Sequence, residues 1–249
     1  MRFSSLSAFV AGLLVLPVAQ AQFSVDPVIA TLSAPAGGVA TEVRVHNTSA
    51  EPARFTFYFG DFDQTETGEN LYAPLGTNPH SCGDRVSVFP NGATLAPGQR
   101  QTLQVRMAPG AETCWSMLFV ETRVAHPNGV SVGQRIGVKV YGVPPGADTA
   151  GEVASVEAAS EGDSVRVSMA FRNLGTSPLR PAGRIEIRTP EGTTLTALPV
   201  DAFSVLPGYL RRGTFYVAAA LPAGRYVAIP ILDFGADYLT AGQAAFEKR

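Results

Sequence analysis

Segments whose apolar residues fall on every second position recur along this chain, and beyond the N-terminal segment none keeps a helical spacing. The clearest runs from Val130 to Val140. Val130, Val132, Ile136, Val138 and Val140 share one face, interrupted by Gln134, while Arg135, Lys139 and Tyr141 share the other. A period of two is that of a strand. The run stops at Val143-Pro144-Pro145-Gly146, where two prolines without N–H groups make a stiff hinge, and a second set of alternating segments follows. An apolar strand that carries a lysine beside such a hinge suggests pairing with a partner chain.

The N-terminus sets the compartment. Arg2 precedes an apolar core from Phe9 to Val18, and Ala19-Gln20-Ala21 has the small-x-small pattern that signal peptidase cleaves, so residues 1–21 read as a secretory signal and the mature chain starts at Gln22. That core is too short to span a bilayer as an anchor, and no later run reaches the ~20 apolar residues a spanning helix needs. No membrane insertion is expected after cleavage. The whole chain has 19 Lys and Arg against 21 Asp and Glu, a net charge of -2, and loss of Arg2 makes it more acidic. Nothing there points to nucleic acid. With only 16% charged residues beside 25 Gly and 19 Pro, the composition favours short strands joined by turns.

The mature chain divides into two similar halves. Strands are expected near 23–32, 39–47, 53–63, 85–89, 100–107, 114–124 and 130–143, and then near 152–158, 164–172, 183–188, 194–198, 210–219, 224–232 and 239–246. Each half places an asparagine turn after its second strand, Val45-His46-Asn47-Thr48-Ser49 and Phe171-Arg172-Asn173-Leu174-Gly175. The expected class is all-β: two tandem immunoglobulin-like β-sandwich domains, 22–143 and 152–249, joined by a Pro/Gly hinge over 144–151. Cys82 and Cys114, the only two cysteines, suit a disulfide in an exported chain; two buried thiols are the alternative. A bridge over a loop of about 30 residues would stabilise the first half by roughly 3–4 kcal/mol on the chain-entropy model.

Motifs with catalytic or metal-binding overtones have simpler readings. Gly129-Val130-Ser131-Val132-Gly133 fits Gly-x-Ser-x-Gly, but a hairpin turn precedes a strand there, whereas a nucleophile elbow joins a strand to a helix. The Asp61–Gly68 segment offers oxygen ligands at alternate positions yet lacks the spacing and final glutamate of a calcium loop, so it reads as a polar loop. His46, His80 and His126 lie on separate turns and support neither a zinc site nor a triad. Asn47-Thr48-Ser49 is a formal glycosylation sequon that turn chemistry also explains. Phe55, Phe57 and Phe59 share a face opposite Tyr58 and Phe62, and Trp115 beside Cys114 is read as a large ring packed in the sandwich core on the disulfide. No catalytic group, metal site or cofactor is expected.

The order of landmarks in the first half resembles the periplasmic pilus-chaperone family (PapD-like). It comprises Ser24-Val25-Asp26-Pro27, Phe89-Pro90, Leu95-Ala96-Pro97-Gly98-Gln99, Leu103-Gln104-Val105-Arg106, Trp115 to Glu121, and Val138-Lys139-Val140-Tyr141 before Pro144. In the second half, Leu232-Asp233-Phe234-Gly235-Ala236 is similar to that family's late Asn-Asp-Tyr-Gly segment. The resemblance implies a chaperone or assembly factor for secreted fimbrial, pilin-like or surface subunits. It would donate its last first-domain strand to a client that lacks one. Val130, Val132, Ile136 and Val138 would then be the subunit-binding side chains. Lys139 matches the family's lysine for the client's terminal carboxylate; a solvated strand lysine is the alternative. The matching first-strand arginine position holds Ile29, and Gln134 puts a polar group in the donor row. A non-catalytic immunoglobulin-like structural or adhesion protein of the cell envelope is the competing reading.

Overall fold

The computed structural model describes residues 22–33, 38–125 and 131–248. Residues 1–21, read above as a secretory signal, and Val130, expected in the donor row, lie outside them. Ten strands form the first sandwich: β1 (Phe23–Asp26), β2 (Ile29–Ser33), β3 (Val39–Asn47), β4 (Ala53–Gln64), β5 (Asn70–Ala73), β6 (Val86–Phe89), β7 (Gly92–Leu95), β8 (Arg100–Met107), β9 (Cys114–Ala125) and β10 (Ser131–Val143). One sheet has the order β1-β3-β8-β6. The other runs β2-β10-β9-β4-β5, with β7 also on β4.

Eight strands form the second sandwich: β11 (Gly151–Glu161), β12 (Ser164–Asn173), β13 (Ala182–Arg188), β14 (Thr194–Val200), β15 (Leu210–Ala218), β16 (Gly224–Asp233), β17 (Thr240–Ala241) and β18 (Ala244–Lys248). Its sheets are β11-β12-β15 and β14-β13-β16-β17, with β18 on β16. The expected two-sandwich, all-β class is therefore what the chain adopts. Among the described residues no helix is long and apolar enough to cross a membrane.

Alternation builds both cores. Val43, Val45, Phe55, Phe57, Leu103, Val105, Leu118, Val120, Val138 and Val140 close the first, and Val165, Val167, Phe171, Ile185, Ile187 and Leu232 are among those that close the second. Each such side chain contributes about 1.5–3 kcal/mol on burial. The disulfide joins Cys82 to Cys114 within the first core, with Cα atoms 4.9 Å apart.

The segment expected as one strand from Phe23 to Leu32 is two. Pro27 cannot donate to a ladder, and the chain crosses there from one sheet to the other. β1 pairs antiparallel with β3, Val25 opposite Val45, whereas β2 pairs parallel with β10, Ile29 opposite Lys139. The inward parity changes with it, from Phe23 and Val25 to Ala30 and Leu32.

Asn47 and Asn173 plug equivalent ends of the two sandwiches. Asn47 Nδ2 donates to the carbonyls of Glu51 (2.9 Å), Leu95 (2.9 Å) and Ala96 (3.2 Å), and its Oδ1 accepts from Ser49 N and Oγ. Asn173 Nδ2 donates to Ser177 O and Val205 O, and its Oδ1 accepts from Gly175 N. With its amide buried and engaged, Asn47 serves turn chemistry rather than a glycan. The segment expected as a polar loop from Asp61 begins instead as the end of β4, paired with β5 over Asp61–Gln64, and there the buried Asp61 carboxylate turns inward and accepts from Thr77 N, Asn78 N, Ser81 Oγ and Ser116 Oγ.

The larger first-domain sheet is covered on both faces at its hinge end. On the face away from the first core, Phe62, Trp115, Met117, Phe119, Tyr141 and Val143 form a third apolar cluster with Leu206 of the second sandwich, flanked by Ile29, Tyr58, Ala147 and Tyr209. This corrects the reading of Trp115. Cys114 faces the first core, so its neighbour on a strand must face the other way, and Trp115 fills the seam between the sandwiches instead. Its ring stacks on His80 (4.4 Å) and meets Tyr209 edge-on (6.2 Å), while Nε1 donates to Phe62 O at 3.1 Å. Polar links cross the same seam: Thr113 Oγ1 donates to Thr176 O, Arg212 N to Glu66 O, and Arg212 Nε to Glu66 Oε2 at 2.6 Å.

Candidate partner-binding edge

β10 has two neighbours at one end and one at the other. β9 pairs with it antiparallel from Ser131 to Gly142. On its opposite side β2 pairs only with Lys139–Val143, and Lys139 N donates to Val28 O at 3.0 Å. Among the described residues, Ser131–Val138 has no strand on that side. The chain leaves bare the half that is distant from the hinge, because β2 is only five residues long.

The apolar row of β10 passes from half-buried to sealed between Ile136 and Val140. Val132 stands opposite Val124 in the ladder, and Ile136 is half-buried at the margin of the first core. Val138 and Val140 are fully buried within that core. Val138, expected among the subunit-binding residues, thus has its side chain committed to its own domain. The polar interruption also has an occupation: Gln134, half-buried, accepts a hydrogen bond at Oε1 from Gln22 N at 3.3 Å, which links β10 to the residue before β1. Ser131, the serine of the Gly-x-Ser-x-Gly match, opens this same extended strand.

The other face of β10 carries its charges. The Arg135 guanidinium lies 4.3 Å from the Phe119 ring centroid and 5.5 Å from that of Tyr72. Beside it Tyr58 Oη donates to Glu121 Oε2 at 2.7 Å. Two steps on, Gly137 leaves room for Met117, whose Sδ would lie 2.6 Å from any Cβ placed there. Lys139 then enters the seam. Its Nζ sits 5.4 Å from the Phe62 ring centroid, and burial, followed by the charges of Arg211 and Arg180, lowers its pKa. Ile29, directly across the ladder from Lys139, lines the seam with an apolar side chain. Arg180 and Arg211 lie in the second half of the sequence, on a loop and on β15. Neither belongs to a spacing pattern with Lys139, so only the tertiary fold reveals the three together.

Fold and edge together define a class: a two-domain immunoglobulin-like molecule in which the last strand of the first domain is half unpaired. No family model matches the sequence, and no curated protein matches it. Among solved structures, the chain is similar to the class 5 fimbriae chaperone CfaA, with a TM-score of 0.51 at 12% identity over 89% of this chain and 98% of that one. It is also similar to a chain of the chaperone–tip adhesin complex of CFA/I fimbriae biogenesis, with a TM-score of 0.50 at 12% identity over 91% of this chain and 99% of that one. A third is a chain of the CsuC–CsuE chaperone–tip adhesion subunit pre-assembly complex from Acinetobacter baumannii, at 14% identity, 91% and 98% coverage and a TM-score of 0.49. The fold is that of the two-domain pilus chaperones.

Proposed function

We propose that this chain is a periplasmic chaperone or assembly factor that holds secreted fimbrial or surface subunits by lending them the free half of β10. The observation that carries this reading is that, among the described residues, Ser131–Val138 has no strand on the side away from β9, and that half-buried Ile136 lies within that stretch. An incomplete sandwich exposes an apolar groove and a line of unpaired backbone groups, and both promote aggregation. A strand added from outside covers the groove and satisfies the ladder in one step.

In this reading Val130, Val132 and Ile136 reach into the client. Val138 stays in its own core and fixes the strand from behind. The Gln134 carboxamide, already shared with a backbone N–H, would exchange that bond for one from the client, since a polar group left unpaired in an apolar groove is costly. Lys139, where the edge meets the seam, would face the client's terminal carboxylate. Support comes from the fold, and from the similarity to a chain of a chaperone–tip adhesin complex. The activity is binding, with no catalytic step.

The test is co-purification from the periplasm. Val132→Asp and Ile136→Asp are expected to lower the yield of captured subunit by at least about tenfold, the effect of placing an unpaired charge in an apolar contact. Ile136→Thr keeps the strand propensity and controls for folding, with circular dichroism and melting followed for every variant. Undiminished capture by the folded variants would overturn the proposal. Direct binding to glycans or cell surfaces without a stoichiometric client would favour the adhesion reading.

A further inference from the structure

Several sheet edges in this molecule are guarded; that of β15 is not. A free strand edge offers a row of unpaired N–H and C=O groups to any passing strand, and proteins blunt it with proline, charge, irregular register or brevity. β14 carries Pro199, and β11 shifts register between Val153 and Ser155 and holds Glu152 and Glu157. β1, β5 and β6 are four residues each. β15 ends the sheet β11-β12-β15 and has none of these guards over Gly213–Ala218. That run, Gly-Thr-Phe-Tyr-Val-Ala, is uncharged, keeps one register on β12 and leaves Tyr216 59% exposed.

The outward groups of this edge follow from one bond. Arg212 N donates across the free side to Glu66 O at 2.7 Å, so the alternate residues Thr214, Tyr216 and Ala218 point their backbone groups the same way. Among the described residues no strand takes them. On the core side, a cavity of about 380 Å³ runs between β15 and the chain after β14, with Met169, Phe203, Gly213 and Phe215 among its walls. An added strand would find there both a ladder and an apolar recess for its alternate side chains, the two components of strand addition.

We propose that this edge is the contact of a two-fold dimer, in which β15 pairs antiparallel with β15 of a second copy of the chain. The register follows from the Glu66 rung. With Tyr216 on the axis, Thr214 faces the copy's Ala218 and all three outward residues are paired. The register one rung nearer the hinge sets the copy's Ala218 opposite Arg212, whose N–H is already held by Glu66 O. On the core side Phe215 then faces the copy's Val217 and Gly213 its Ala219, apolar against apolar over the recess. From Gly213 to Leu221 there is no charge, so two acidic chains meet over a neutral strip, and Arg212 comes opposite the copy's Ala220, beside the turn that Ala219 N bonds at Asp163 O. Such a pair uses up both edges and stops at two. A contact of three residue pairs falls below the roughly 1,200 Å² of a stable complex, so the dimer is weak, with a dissociation constant on the order of 10⁻⁵–10⁻⁴ M. It uses no residue of β10, and the proposal does not rest on strand donation.

The full mature chain is followed by sedimentation equilibrium from about 5 µM to about 1 mM, a range that brackets that constant. A reversible monomer–dimer equilibrium is expected. Tyr216→Pro removes the central outward donor and leaves the β12 ladder intact, and Thr214→Lys puts a charge on the edge; each should weaken the dimer at least about tenfold. Circular dichroism checks the fold, and Thr214→Lys stands as the test if Tyr216→Pro is destabilised. The two cysteines are bonded to each other, so Tyr216→Cys adds a single free thiol. Under mild oxidation it should give a covalent dimer, because residues facing each other in a hydrogen-bonded pair lie about 5.5 Å apart at Cα, within disulfide reach. Leu195→Cys, exposed on β14, should stay monomeric. Absence of association at the upper concentration, species larger than a dimer, or a dimer untouched by both β15 substitutions overturns the proposal. Ile136→Asp separates the dimer from client capture: capture should be lost and the dimer kept, and a dimer lost there instead would place the contact on β10 and overturn it.

Discussion

Two asparagines show how much a single side chain can fix. Asn47 and Asn173 each span the turn after a strand and carbonyls from a distant loop, at full burial. Replacing either by alanine strands several buried carbonyls, so Asn47→Ala and Asn173→Ala should each cost about 2–3 kcal/mol, read as a lower urea midpoint with an unchanged slope. Asn47→Asp should not rescue, because a carboxylate cannot donate to Leu95 O. The repeated turn was legible in the sequence because both asparagines serve local geometry. The fate of Trp115 was not: alternation states that a residue opposes Cys114 across the strand but is silent on what covers that face. For the same reason Lys139 could be singled out from its position before the hinge, while Arg180 and Arg211 carry no local mark.

Strands show the same division between local and distant information. The alternation of β10 was plain, and its bounds agree closely with the expected segment. Which half of it is paired depends on β2, more than a hundred residues earlier and crossing sheets at Pro27, and no periodicity in β10 records that. β13 carries a charge ladder with a testable signature. Glu186, buried in the middle of the strand, accepts from Arg184 Nε (2.5 Å), Arg188 Nε (2.7 Å) and Thr194 Oγ1 of β14 (3.1 Å). The hydrogen bond from Arg184, then that from Arg188, holds its pKa down at about 2 against 4.5 for a free side chain. A carboxylate depressed in the folded state stabilises fully above its unfolded pKa and progressively less below it. Acidification from pH 4.5 to about 2 should therefore weaken the β13–β14 pairing. With half-exposed Arg184 screened by water, the loss is about 1 kcal/mol. Hydrogen exchange of β13 and β14 measured across that range should show the loss in the parent chain and not in Glu186→Gln.

At the scale of the molecule, the seam makes one object of two sandwiches. Leu206 is fully buried in it beside the aromatic rings of the first domain. Leu206→Ala opens a cavity there at a cost of about 2–5 kcal/mol, without touching either core. Scanning calorimetry should then resolve two unfolding transitions where the parent chain shows one, since the loss falls on the coupling between the cooperative units. A single transition shifted as a whole would mean that the sandwiches do not melt separately. The chain's one tryptophan lies in this joint and in neither core. A fluorophore thus sits at the joint between the two sandwiches. A red-shifted emission that precedes any change in far-ultraviolet signal would register the two halves parting while each is still intact, and the same wavelength would report in real time on whatever closes or opens them.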